Sequence, residues 1–156
     1  MNMCLDAWAV IAWLEDSATA PHLEAHLGTG RSCMSWVNAG EVHCVVARRA
    51  SPQAADQVIS QLGADVDLMD ATGPRTIAAA GIKAIHRMSY ADCFAVATAL
   101  EFRVPLVTSD PEIICANVPG LEVIDLRGAS PVARPTHGLG TQVAPPPAAR
   151  ARPTPP

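Results

Sequence analysis

Lysine occurs once in this chain of 156 residues, at Lys83, and aromatic residues make up only 4% of it. With a single lysine, local positive charge must come mainly from arginine, the better fork for a phosphate group. So few aromatics leave no stripe that could serve as a stacking platform for single-stranded nucleic acid. Cys4, Cys33, Cys44, Cys93 and Cys115 form no Cys-X-X-Cys pair. That spacing argues against thiolate-ligated zinc and against a disulfide framework, and the odd count points to a reducing compartment. Cys4, Cys44 and Cys93 read as small core residues. His43 and His86 form neither an HxxxH nor an HxH pair and give no support to a zinc hydrolase; His43 reads as a surface or partner-facing residue. Gly28-Thr29-Gly30 lacks the Lys-Ser/Thr end of a phosphate loop. No apolar run reaches the ~18 residues of a membrane span. The N-terminus lacks a basic segment, and Asp6 would interrupt a signal peptide. The expectation is a cytoplasmic protein without membrane contact.

Charge is unevenly spread. Residues 1–128 hold all 15 acids against eight Lys or Arg, a formal −7, while 129–156 carry three Arg and no acid, a formal +3. An acidic folded part argues against tight non-specific binding of nucleic acid, though not against a nuclease whose acids are masked by metal. Eight of the 14 prolines fall in 129–156, where no apolar period exists. The expected organisation is one domain over 1–128 and a disordered Pro/Ala/Arg-rich tail over 129–156.

Within the domain, strand and helix patterns alternate. Strands are predicted at Met3–Leu5, 32–34, Val66–Met69, 104–107 and 121–124. Helices are predicted at Ala7–Leu14, 19–27, 36–47 behind Ser35, between Pro52 and Gly63, from Gly73 to Ile85, at Tyr90–Phe102 behind Ser89, and at 111–115. Such alternation implies an α/β fold: a parallel sheet of about four or five strands with helices on both faces. Ala7–Leu14 is apolar nearly all round, which a surface helix is not. The pattern points to a protein partner on this helix, with Trp8 and Trp13 as the anchors, against the alternative that loops and the following helix of the same chain cover them.

Four acids occupy informative places. Asp6 and Asp110 directly follow predicted strands, where open α/β sheets gather their sites. Each also has a structural explanation as a helix N-cap, Asp110 with Pro111 at the first helical position. Asp92 completes Ser89-Tyr90-Ala91-Asp92, which has the form of a capping box. The small residues after it would let that helix approach the strand ends. Glu41 sits in a mostly apolar helix, with Asn38 on the same face one turn earlier. A carboxylate there needs a partner or solvent. Four convergent carboxylates repel unless a cation neutralises them, and an oxygen-only donor set selects Mg²⁺ or Mn²⁺. Arg48-Arg49, Arg75, Arg87 and Arg103 are candidate phosphate contacts. Arg75 and Arg103 read better as solvated helix residues, and Arg48-Arg49 also suits the negative end of its helix.

Leu5-Asp6-Ala7, Asn38-Ala39-Gly40-Glu41-Val42, the run Ser89-Tyr90-Ala91-Asp92-Cys93-Phe94-Ala95-Val96-Ala97 and Leu106-Val107-Thr108-Ser109-Asp110 follow one another as in PIN-domain ribonucleases. The chain most resembles the VapC toxins of bacterial VapBC toxin–antitoxin pairs, over about residues 1–127. The resemblance implies a PIN-like three-layer sandwich and metal-dependent endonucleolytic cleavage of RNA. It matches Asp6, Glu41, Asp92 and Asp110 to the family's acidic quartet, with Asp6 and Asp92 holding Mg²⁺ (or Mn²⁺) most directly. Thr108 matches the polar position before the last acid, with Glu112 as an assistant. The implied partners are an RNA substrate, a small antitoxin on Ala7–Leu14, and a second copy in a homodimer. The chain departs from the family at Ala7, where many relatives carry a hydroxyl residue, and in its tail. The competing expectation is a non-catalytic PIN-like RNA- or protein-binding regulatory module, in which the acids only cap helices and no metal binds. A receiver-type phosphoryl domain fits poorly, because Asp6 stands without an acidic neighbour and Lys83 lies inside a helix.

Overall fold

The computed structural model of the chain describes residues 1–15, 20–27 and 30–127. The boundary at 128, the tail at 129–156 and the expected helix start at Thr19 lie outside the described residues. Five strands, β1 (Met3–Leu5), β2 (Ser32–Ser35), β3 (Val66–Met69), β4 (Leu106–Thr108) and β5 (Val123–Asp125), form one parallel sheet in the order β3-β2-β1-β4-β5. The helices are α1 (Ala7–Leu14), α2 (Ala20–Leu27), α3 (Trp36–Arg49), α4 (Pro52–Asp65), α5 (Gly73–Ile85), α6 (Tyr90–Phe102) and α7 (Pro111–Ala116).

The pleat of the central strands sorts the core into two layers. Met3, Leu5, Met34 and Val107 face one cluster, completed by Ala9 and Val10 of α1, Leu23 of α2, Ala39 and Val42 of α3, and Leu62 of α4. Cys4, Cys33 and Leu106 face the other, completed by Ala79 of α5, Ala95, Val96 and Ala99 of α6, and Ile113 of α7. Side chains alternate between the faces of a strand, so three-residue strands such as β1 can feed both layers. The result is a three-layer α/β sandwich, as expected. Helix α6 is buried from Asp92 through Ala99. Its alanines let it lie close under the sheet, which explains why so apolar a helix stays within one small domain.

Several predicted boundaries move by one or two residues. β4 begins at Leu106 rather than 104, because the Val104 N–H still bonds back to the Ala99 carbonyl of α6 and Pro105 has no N–H to give a neighbouring strand. α3 and α4 each run two residues past their expected ends, to Arg49 and Asp65. Cys44, expected in the core, is exposed. Arg75, read as solvated, is buried: its Nε donates to Glu101 Oε2 at 2.8 Å, and its guanidinium lies 5.5 Å from the Phe102 ring centre. His43 is a surface residue that meets Asp56 at 3.0 Å.

Helix α1 packs Ala7, Ala9, Val10 and Ala12 into the core, while Trp8, Ile11 and Trp13 are half-buried. The Trp13 indole donates to Glu24 Oε1 of α2 at 3.1 Å. Most of this apolar helix is therefore covered by its own chain, and Leu14 alone of its residues is exposed. No helix among the described residues is long and apolar enough to cross a membrane. Met34 is fully buried on a central strand. Met34→Ala is expected to destabilise the fold by about 2–5 kcal/mol, the usual range for such a truncation, read as a lowered urea midpoint with an unchanged slope.

Candidate metal centre

Strand order reverses between β1 and β4, where the chain leaves β1 toward β2 on one side and arrives at β4 on the other. The crevice beyond the carboxyl ends of two such strands is where open α/β sheets hold ligands. Asp6 follows β1 directly, and Thr108 closes β4. A cavity of about 270 Å³ opens there, lined by Asp6, Glu41, Asp92 and Asp110, with Trp8, Ile11, Val45 and Arg48 among the other walls.

Asp6 is held from three sides. Its Oδ1 accepts from the Ala7 backbone N–H at 2.7 Å and from Asn38 Nδ2 at 3.4 Å, and its Oδ2 accepts from Thr108 Oγ1 at 2.8 Å. Asn38 Nδ2 also donates to the Ala91 carbonyl at 3.1 Å. One buried amide thus ties α3 to β1 and to the first turn of α6. Asp92 occupies the capping box foreseen in the sequence: its backbone N–H donates to Ser89 Oγ at 3.0 Å, and its Oδ2 accepts from the Ser89 N–H at 2.7 Å. The cap uses one Asp92 oxygen and leaves the other free.

Carboxylate oxygens of Asp6, Glu41 and Asp92 lie within 4.8 Å of one another. At an effective dielectric near 20, two full charges at that spacing repel by roughly 3–4 kcal/mol. The protonation of the site reflects it. Burial, opposed by the Thr108 hydrogen bond and reinforced by the Asp92 charge, pushes Asp6 up to about 7. Burial and then the Asp92 charge also raise Glu41 above its ordinary value. These three groups are brought together by β1, α3 and α6. Asp110 is placed differently. It caps α7, its Oδ1 accepting from the Glu112 N–H at 2.7 Å, and it stands half-buried at the cavity wall outside the trio. Glu112 is exposed and does not line the cavity.

The donor set fits a hard divalent cation. It is all oxygen, carries several negative charges, and is clustered tightly enough for one ion to reach three groups. No His or Cys belongs to it. Sequence reasoning missed the reach of Asn38 to Asp6. The only signal was its position one turn before Glu41, which shows a shared face but not what that face meets.

The chain is a parallel five-stranded α/β sandwich whose acidic crevice lies at the switch point of the sheet and could hold a metal ion. Residues 3–117 match the PIN domain model, and the chain belongs to the PIN domain family. No curated protein matches the sequence. Among solved structures, VapBC2 of Rickettsia felis, bound to a DNA fragment from its promoter, superposes with a TM-score of 0.65 at 13% identity, over 80% of this chain and 98% of that one. A toxin–antitoxin complex of Klebsiella pneumoniae gives 0.63 at 16%, over 80% and 98%. Mycobacterium tuberculosis VapC20, a toxin that cleaves the sarcin–ricin loop, gives 0.62 at 16%, over 74% and 95%. At these identities the likeness is one of fold.

The raised Asp6 pKa has a defined consequence for the metal-free protein. Between about pH 4 and 7 the folded state retains a proton that the unfolded chain has released. Stability contributed by that proton is complete below the unfolded value and is lost as pH rises through the folded one. Chelator-treated wild type is therefore expected to lose up to about 4 kcal/mol relative to Asp6→Asn across this window. Urea unfolding of both proteins at pH 4, 5.5 and 7.5 checks this; parallel curves would refute it.

Proposed function

We propose that the protein is a divalent-metal-dependent endoribonuclease of the VapC type, the toxin of a toxin–antitoxin pair. The observation that carries the reading is the convergence of Asp6, Glu41 and Asp92, from three separate elements, within reach of one cation at the mouth of the sheet. Mg²⁺ or Mn²⁺ held there supplies an acidified water and stabilises charge developing on a phosphodiester. Asp6 and Asp92 are the most direct holders, with Glu41 and Asp110 in support. The chain's own residues do the positioning. Ala7 N–H, Asn38 and Thr108 fix both Asp6 oxygens in place before the cation arrives. The Ser89 N–H fixes Asp92 with one oxygen still open. Such preorganisation removes reorganisation from the reaction itself. Asp110 completes the negative rim of the cavity.

Membership of the PIN family and the fold shared with VapC20 support RNA as the substrate. The fold shared with toxin–antitoxin complexes supports a small protein inhibitor. Trp8 and Ile11, half-buried beside the acids, together with exposed Leu14 give that inhibitor an apolar edge on α1. A homodimer and a cytoplasmic site of action complete the proposal.

Two measurements test it. Purified wild type is expected to cleave total RNA with Mg²⁺ or Mn²⁺ and to stop when EDTA is added. Asp6→Asn and Asp92→Asn are each expected to lose at least about 100-fold in rate while unfolding cooperatively, the scale seen when one electrostatic contact to a transition state is removed. Equal cleavage by wild type and Asp6→Asn would leave the non-catalytic binding module as the better account. In cells, growth arrest on expression, relieved by a small protein encoded alongside, is the expected phenotype.

A further inference from the structure

Arg48 and Arg49 end the same helix, and both suit its negative C-terminal end. The structure separates them. Arg49 pairs with Glu15 at the C-cap of α1, so its charge is used within the fold. Arg48 lines the acidic cavity and is the one cation to do so among the described residues. It makes no hydrogen bond or ion pair to any described residue, although carboxylates share that cavity. The other cations are occupied or elsewhere. Arg31 is bound to Asp67, Arg75 is buried against Glu101, and Arg127 meets Asp125. Arg87 and Arg103 do not line the cavity.

We infer that Arg48 is the substrate-phosphate anchor of this site: its guanidinium grips a backbone phosphate flanking the bond that is cut. The inference rests on the ribonuclease reading above and deepens it. Glu41 and Arg48 are seven residues apart on one helix, two turns and about 10 Å of rise. That spacing lets the two side chains meet different points along a bound strand. Trp8, Ile11 and Val45 give the same cavity apolar walls. Low-polarity walls strengthen a guanidinium–phosphate pair relative to open water. They also explain why the anchor is one arginine rather than a basic surface. A chain whose described part is strongly acidic has no non-specific footprint with which to hold RNA, so a single well-placed fork carries the register.

The test uses the full chain, Mn²⁺ and a fluorescein-labelled, mixed-sequence single-stranded RNA. Arg48→Ala is expected to raise KM about tenfold or more, the loss associated with a charged hydrogen-bonded contact, while kcat changes less than about threefold. The dependence of log KM on log salt should flatten by about one. Arg48→Lys should recover part of the loss, and the Mn²⁺ affinity of Arg48→Ala should match wild type. Arg49→Ala, which breaks only the pair with Glu15, should leave KM and the salt slope unchanged. An Arg48→Ala enzyme that cleaves with wild-type KM and salt slope overturns the anchor and leaves the nuclease reading intact. Equal weakening by Arg48→Ala and Arg49→Ala overturns it too, because bulk charge then accounts for the effect. A wild type that cleaves no RNA overturns both readings together.

Discussion

Mutual repulsion among Asp6, Glu41 and Asp92 is the constraint around which the rest of the site is organised. Three carboxylate oxygens within 4.8 Å are unfavourable in a folded protein unless protons or a cation intervene. In the metal-free state protons do part of this, as the elevated values of Asp6 and Glu41 show. A divalent ion would do it better, releasing those protons and converting three repulsions into three attractions. The same cluster is thus a cost to folding and, with an ion bound, would be a source of metal affinity, a common arrangement for functional sites built on a stable frame.

The frame explains how the acids come to be so close. A parallel sheet whose order reverses between β1 and β4 opens a crevice at one edge, and the chain enters that crevice at Asp6 and again after Thr108. Helix α6 carries small residues along a buried face, so its first turn can press Asp92 toward the strand ends. Helix α3 presents Asn38 and Glu41 from the other layer. The Asn38 amide, bonded to both Asp6 and the Ala91 carbonyl, is where the two helical layers meet the sheet. Its own Oδ1 is buried without a partner, an arrangement that apolar packing would avoid. That tolerance marks the amide as serving the site more than the core.

Much of this was legible in the sequence where local chemistry specifies local structure. The capping box Ser89–Asp92, the Asp110-Pro111 helix start and the placement of Asp6 after an apolar triplet all follow from how helices begin. The α/β class followed from alternating patterns. What could not be read there depends on tertiary contact. Arg75 looked solvated because nothing local reveals Glu101 and Phe102 waiting on α6. Cys44 looked buried because its neighbours are apolar, yet its face of α3 turns outward beside the cavity. The near equivalence of Arg48 and Arg49 in sequence dissolves only when Glu15 is seen to take one of them. Of the four acids, Asp6, Glu41 and Asp92 cluster, and Asp110 stands beside them at the cavity wall; that difference depends on tertiary placement, since Asp6 and Asp92 give an oxygen to a helix start as Asp110 does.

The most direct test of the central claim is a calorimetric titration of the chelator-stripped protein with Mn²⁺ at about pH 6, where Asp6 still holds its proton, run beside Asp6→Asn. A saturable heat in wild type that is accompanied by proton release and lost or greatly weakened in Asp6→Asn is the result expected of a carboxylate trio waiting for a cation. Absence of saturable binding at millimolar Mn²⁺, or equal binding by both proteins, would contradict it.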